Sequence, residues 1–265
     1  MMHIYQVDAF ATELFGGNAA AVCPLETWLS DDVMQALAAE NNLAETAFFV
    51  ADESGAADYG LRWFTPEAEV DLCGHATLAS AWVLFNAVTS DSDVVTFSTR
   101  SGILTVTRGQ DDMITMDFPQ CTLKPAPHPD DLLRALGGPA LDYCTASNDM
   151  RLAVLGSVEA VRDLKPNFAA IAAMGSHGLI VTAKGEGDVD FVSRFFAPQI
   201  GIPEDPVTGA AHTVLAPYWG KRLKKDTFTA RQISKRGGEV LCQLDGDRVK
   251  LSGRAVLYMK GEVYT

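Results

Sequence analysis

Four side chains in this 265-residue sequence have the chemistry to move a proton or attack a carbon: Glu45, Cys73, His75 and Asp205. Glu45 lies in Leu43-Ala44-Glu45-Thr46-Ala47-Phe48-Phe49-Val50, a lone carboxylate at the mouth of an apolar strand. Its plain reading is an exposed carboxylate on a strand edge. Its functional reading is a carboxylate withdrawn from water, whose pKa rises because desolvation disfavours the charged form. Such a group takes up a proton and returns it near neutral pH.

Cys73 and His75 stand two apart and, on extended backbone, point the same way. Zinc would want three or four ligands at characteristic spacings. Neither Cys-x-x-Cys nor His-x-x-x-His occurs here, so no metal is expected. A Cys–His nucleophilic dyad is also disfavoured, because one intervening residue makes direct contact awkward and no hydrolase signature surrounds the pair. Asp205 precedes Pro206 and a glycine-led helix, so it reads either as an ordinary helix cap or as a carboxylate facing a ligand. His212, one turn into that helix, and His177, in a glycine-flanked loop, read as structural or exposed.

The elements that position these residues occur twice. Arg62-Trp-Phe-Thr-Pro66 leads through a loop to Leu72-Cys73-Gly74-His75-Ala76, where a helix begins. Arg194-Phe-Phe-Ala-Pro198 leads to Glu204-Asp205-Pro206-Val207-Thr208-Gly209-Ala210 and a second helix. The arginines are 132 positions apart and the glycines 135. Ser98-Thr99-Arg100 echoes Ser234-Lys235-Arg236, and Ala47–Val50 is matched to Gly178–Val181. A period of half the chain predicts two duplicated lobes, not a solenoid. Glycine at each helix start leaves first-turn N–H groups open to an anion, which the helix dipole favours. Two such lobes facing one another would bring both helix N-termini to one cleft suited to a small acid.

Composition narrows the class. The chain is 48% apolar with a net charge of −13, which disfavours nucleic acid and anionic membranes as partners. The basic run Lys221-Arg222-Leu223-Lys224-Lys225 reads as a solvated loop. The N-terminus alternates like a strand and does not read as a signal peptide, and no stretch resembles a membrane span. Five scattered cysteines suit a reducing cytoplasm. Strands and helices alternate throughout, an α/β (α+β) chain. The first lobe is expected over 1–118 and the second over 119–254, with Lys124–Pro129 as the hinge. Ser30-Asp31-Asp32 starts a helix whose buried stripe is expected to include Val33 and Leu37.

Asn41-Asn42-Leu43-Ala44-Glu45-Thr46-Ala47-Phe48, Arg62–Pro66, Leu72–Ala79 and Glu204–Gly209, in that order, resemble the PhzF-like family of phenazine biosynthesis, related in fold to diaminopimelate epimerase. The resemblance runs from the first strand to the last. It implies two pseudo-symmetric lobes, each a β-barrel-like mixed sheet around a central helix, with the last strand (about 255–265) able to return to the N-terminal lobe. It further implies homodimers and cofactor-free isomerisation of a small, unsaturated cyclic carboxylic acid. Glu45 matches the proton-shuttling glutamate, and His75 and Asp205 match residues that contact the substrate. The turns at Gly74 and Gly209, with Cys73 and Ala210 beside them, would hold its carboxylate.

Three departures bear on the substrate. Related epimerases use one cysteine from each lobe, whereas here Pro206 is expected at the second position, so a two-cysteine amino-acid racemase is disfavoured. Ala210 stands where many members have serine. Gly17-Asn18-Ala19 stands where the family usually has Asn-Pro. The competing reading is a catalytically silent small-acid binder or interaction protein on the same fold, which the presence of Glu45 argues against.

Overall fold

A computed structural model describes residues 1–88 and 92–264. In chain order the elements are β1 (Met2–Ala9), β2 (Asn18–Pro24), α1 (Asp31–Asn41), β3 (Glu45–Ala51), β4 (Tyr59–Phe64), β5 (Glu69–Val70), α2 (Gly74–Val83), β6 (Val94–Thr99), β7 (Gly102–Arg108) and β8 (Ile114–Pro119). There follow β9 (Leu123–Pro125), α3 (Asp130–Leu136), β10 (Asp142–Ala146), β11 (Met150–Val154), α4 (Val158–Arg162), α5 (Phe168–Ala173), β12 (Gly178–Lys184) and β13 (Phe191–Ala197). The last elements are β14 (Ile202–Asp205), α6 (Gly209–Leu223), β15 (Thr227–Gln232), β16 (Gly238–Asp245), β17 (Arg248–Gly253) and β18 (Ala255–Val263). Among the described residues no helix is long and apolar enough to cross a membrane.

The chain forms two compact units, Met1–Asp117 with Ser252–Thr265, and Phe118–Leu251. Thr265 itself lies outside the described residues. The Pro-rich stretch expected as a hinge lies inside the second unit, where Leu123–Pro125 pairs with β10. Pro125 closes that short strand, where a missing N–H costs little, and Pro129 is the N-cap of α3.

Each unit is a mixed sheet with the same order of pairings. In the first the strands run β18-β1-β2-β3-β4-β6-β7-β8, with β2–β3 and β4–β6 parallel and β5 added against β4. In the second they run β9-β10-β11-β12-β13-β15-β16-β17, with β11–β12 and β13–β15 parallel and β14 added against β13. The duplication read from the sequence is therefore a duplication of topology.

The central helices explain their sequences. From His75 to Ala81 every residue of α2 is buried, and so is every residue of α6 from Ala211 to Trp219. A helix covered on all sides can be apolar all round. In the second unit the Trp219 ring stacks on Phe191 at 6.0 Å, and its Nε1–H donates to Thr182 Oγ1 at 3.1 Å. The outer helix α1 buries Met34 and Ala38, while Val33 stays 37% exposed, so the buried stripe is rotated one position from the expected one.

The repeat reaches individual ion pairs. On β4, Arg62 meets Glu69 of β5 through Nε–Oε1 and Nη2–Oε2, both 2.7 Å. On β13, Arg194 meets Glu204 of β14 through the same atoms at 2.7 and 2.9 Å. Each guanidinium also lies over a phenylalanine two residues on, Phe64 at 5.2 Å and Phe196 at 4.9 Å. Planar guanidinium suits both contacts at once.

Strand register corrects one alignment. Thr46 faces Phe64 and Leu179 faces Phe196, which makes Glu45 and Gly178, the first residues of β3 and β12, equivalent. The match of Ala47 to Gly178 expected from sequence is thus displaced by two. A Cβ at Gly178 would lie 2.3 and 2.5 Å from the Phe195 ring, which is itself buried. The second unit has an aromatic ring crowding the place where the first has its carboxylate. Gly178→Ala should accordingly cost about 2 kcal/mol through overpacking. A lowered urea midpoint at unchanged m would register it, and an unchanged midpoint would show that the ring yields freely.

Candidate active site

The first unit brings together Asn18, Glu45, Cys73 and His75 from three elements. Glu45 opens β3, which pairs in parallel with β2, so Asn18 at the start of β2 lies near it. Cys73 is the N-cap of α2, extended at φ −142° and ψ 108°, and His75 falls in the helix's first turn. The change from extended to helical backbone swings the two side chains together. Cys73 Sγ lies 3.5 Å from His75 Nδ1. The contact that looked awkward across one residue is made.

His75 also faces the carboxylate, with Nε2 at 2.9 Å from Glu45 Oε2. The approach is short but off the line that a well-formed hydrogen bond needs, and Oε2 has no other hydrogen-bond partner. Asn18 Nδ2 lies 3.2 Å from Nδ1 of the same ring. With Asn18 donating there, the neutral ring carries its proton on Nε2, facing Glu45. Asn18 entered the sequence reading only as part of an atypical turn, and that asparagine was the available signal.

All of these groups are buried: Glu45 is 9% exposed, Cys73 6% and His75 5%. Burial pushes the Cys73 thiol up to about 11, and the nearby Glu45 carboxylate adds to it, so the thiol is protonated at neutral pH. For His75, burial opposes the imidazolium, but negative charge on Cys73 or Glu45 outweighs it and raises its pKa well above the usual value. This buried imidazole beside Glu45 was not foreseen from the sequence.

The second unit holds a different cluster. Asp205 ends β14, and its Oδ2 accepts from the Thr208 hydroxyl. Gln232 ties the loop together, its Nε2 donating to Asp205 O at 2.7 Å while its Oε1 accepts from Thr208 N–H at 2.9 Å. Thr208, not Asp205, is the N-cap of α6, so the capping role considered for Asp205 is not the one it has. Cys73 and Thr208 are N-caps of the two corresponding helices, at φ −142° and −118°. The position opposite Cys73 in the repeat is therefore Thr208 and not Pro206, and it too lacks a thiol. Gly209 is buried, and Ala210 and Gly74 are half-buried at their helix starts.

His177 and His212 take the roles expected. His177 is exposed. His212 is fully buried, with Nδ1–H donating to Thr208 O at 2.8 Å and Nε2 without a hydrogen-bond partner. Burial lowers its pKa to about 4 despite that bond. Its unfolded-state value is near 6.5, so the neutral ring contributes stability that is present above pH 6.5 and is lost as pH falls toward 4. His75, shifted the other way, contributes a constant amount below pH 6.5. We expect about 2 kcal/mol to be lost between pH 7 and pH 5 through His212. Urea midpoints of wild type and His212→Phe at the two pH values would show it. Equal losses in both proteins would assign the dependence elsewhere.

The family described as phenazine biosynthesis-like protein matches residues 7–261. An uncharacterized isomerase of Pseudomonas aeruginosa is 49% identical, covering 98% of both chains. A PhzF-family phenazine biosynthesis protein from Enterococcus faecalis superposes with a TM-score of 0.94 at 46% identity, over 100% of this chain and 99% of that one. A hydroxyproline epimerase from Agrobacterium vitis shares the fold alone, with a TM-score of 0.64 at 12% identity over 98% and 91% of the two chains. The mixed α/β architecture is thus of the diaminopimelate epimerase-like kind, and these likenesses support an isomerase-type function. The chain belongs to the phenazine biosynthesis-like, or PhzF, family.

Proposed function

We propose that the protein is a cofactor-independent isomerase that moves a proton between carbons of a small, unsaturated, cyclic carboxylic acid, with Glu45 as the acid–base group. The observation that carries this reading is the contrast among three glutamates. Glu69 and Glu204 are each held by two arginine hydrogen bonds. Glu45, its side chain as buried as that of Glu69 and more buried than that of Glu204, has only the imidazole of His75 beside an Oε2 that lacks a well-formed hydrogen bond. A carboxylate kept from water and not consumed by structural bonds is free to accept a proton.

The chemistry balances without a redox partner. Glu45 takes a proton from one carbon of the substrate, the electron pair shifts through the unsaturated system, and Glu45, whose carboxyl proton exchanges with solvent in between, returns a proton at another carbon. His75 holds the carboxyl in place, and Asp205 contacts a polar group of the substrate. First-turn N–H groups at Gly74, Gly209 and Ala210 receive the substrate's carboxylate, as helix N-termini favour anions. Cys73 lines the site as a neutral thiol. The reading includes a homodimer in the cytoplasm, which sedimentation of the purified protein and fractionation of cells would test.

The test is a panel of small cyclic and unsaturated carboxylic acids incubated with the wild-type protein. At least one should be isomerised without added metal or cofactor. If several bind and none is converted, the protein is a binder of small acids and not an isomerase.

A further inference from the structure

Two donors spaced as Cys73 and His75 are do not make a metal site, and the sequence offers no third beside them. The fold supplies one. Glu45, from a different strand, gives one buried oxygen, so that a sulfur, a nitrogen and an oxygen all lie within 4.8 Å of one another. We propose that Glu45, Cys73 and His75 form a reversible site for a thiophilic divalent cation of the zinc type, whose occupancy silences proton transfer. The silencing half rests on Glu45 being the acid–base group, whereas the binding half does not.

The geometry fits with small movements. Zinc bonds of about 2.0–2.3 Å at tetrahedral angles put donor atoms roughly 3.4–3.6 Å apart. His75 Nε2 lies 3.9 Å from Cys73 Sγ and 2.9 Å from Glu45 Oε2, so the two spacings straddle that range. Shifts of about half an ångström would bring those two spacings into range, and the sulfur and the oxygen already lie within 4.8 Å of one another. The fourth vertex is left to water or to an anion. Charge also closes: one thiolate and one carboxylate neutralise a divalent cation, which matters in a buried site. The S–H bond of Cys73 breaks as the sulfur–metal bond forms, the protonated ring of His75 gives up its Nε2 proton as the nitrogen–metal bond forms, and both protons leave to solvent. Asn18, 3.2 Å from His75 Nδ1, is placed to hold the metal-bound ring by turning its amide oxygen toward the Nδ1 proton.

Co²⁺ is the probe, because thiolate bound to it gives a charge-transfer absorption. Titration of chelator-treated wild-type protein should show that band at a stoichiometry of one. Cys73→Ser should abolish the band and weaken binding about tenfold or more, and Glu45→Gln should weaken it with the band retained. Cys121→Ser, at the only cysteine that is not buried, should change neither. Cys73→Ala with an unchanged melting temperature guards against a folding defect in the serine variant. Absence of the band in wild type, or its survival in Cys73→Ser, would overturn the site. On an acid that the wild type converts, Zn²⁺ should abolish turnover and a chelator should restore it. Binding through Cys73 with turnover intact would overturn the silencing and leave the isomerase reading untouched.

Discussion

Glu45→Gln should leave the affinity for a substrate acid within a few-fold of wild type and lower turnover by roughly two to four orders of magnitude. Glutamine keeps the shape of the side chain and an oxygen for His75 at the 2.9 Å contact. It cannot carry the proton. Binding is assigned to other groups, so only the step that needs a titrating carboxyl is lost. His75→Ala should lower both affinity and turnover, because it removes a substrate contact and the imidazole that lies 2.9 Å from the Glu45 carboxylate. Asp205→Asn should also change both, since Asp205 is assigned to holding the substrate. Steady-state kinetics together with equilibrium binding separate these patterns. A Glu45→Gln protein that loses affinity and turnover equally would make Glu45 a binding residue.

Arg194→Met should destabilise the protein by about 3 kcal/mol, the larger of two parallel losses. The Arg194 guanidinium bonds Glu204 twice and also donates to the carbonyls of Val161, Arg162 and Leu164 at 3.1, 3.3 and 2.8 Å. Methionine retains the alkyl bulk but leaves three carbonyls and a half-buried carboxylate unpaired. Its counterpart Arg62 is more exposed, at 22% of the side chain against 11%, and its partner Glu69 keeps Arg100 at 2.5 Å. Arg62→Met should cost about 1 kcal/mol. Glu204→Gln added to Arg194→Met should recover part of the loss, because the stranded charge is gone. Chemical denaturation of the set measures all three, and equal losses at the two arginines would contradict the assignment.

Much of this was legible in the residues. Arg62–Pro66 and Arg194–Pro198 followed by Gly74 and Gly209 carry the duplication, because the same strand, loop and helix start demand the same residue types. Finer register was not. Within apolar runs such as Ala47–Val50 and Gly178–Val181 any offset looks plausible, and only cross-strand pairing showed that Glu45 corresponds to Gly178 in the repeat. The Cys73–His75 contact depends on where extended backbone turns helical, to within one residue. The third donor beside that pair comes from a strand 28 positions upstream, which no local spacing reveals. Of the two readings open for Asp205, the cap falls to Thr208, because both types cap helices and sequence does not choose between them.

The most direct measurement follows the proton itself. Wild-type protein and Glu45→Gln are each incubated in deuterated water with an acid that the wild type converts, and label entering carbon is followed over time. Glu45 shuttling predicts that wild type places deuterium at the carbon receiving the proton, while Glu45→Gln with normal affinity places label at least about a hundredfold more slowly. Label entering at the wild-type rate in Glu45→Gln would contradict the account, because the proton would then be moved by another group.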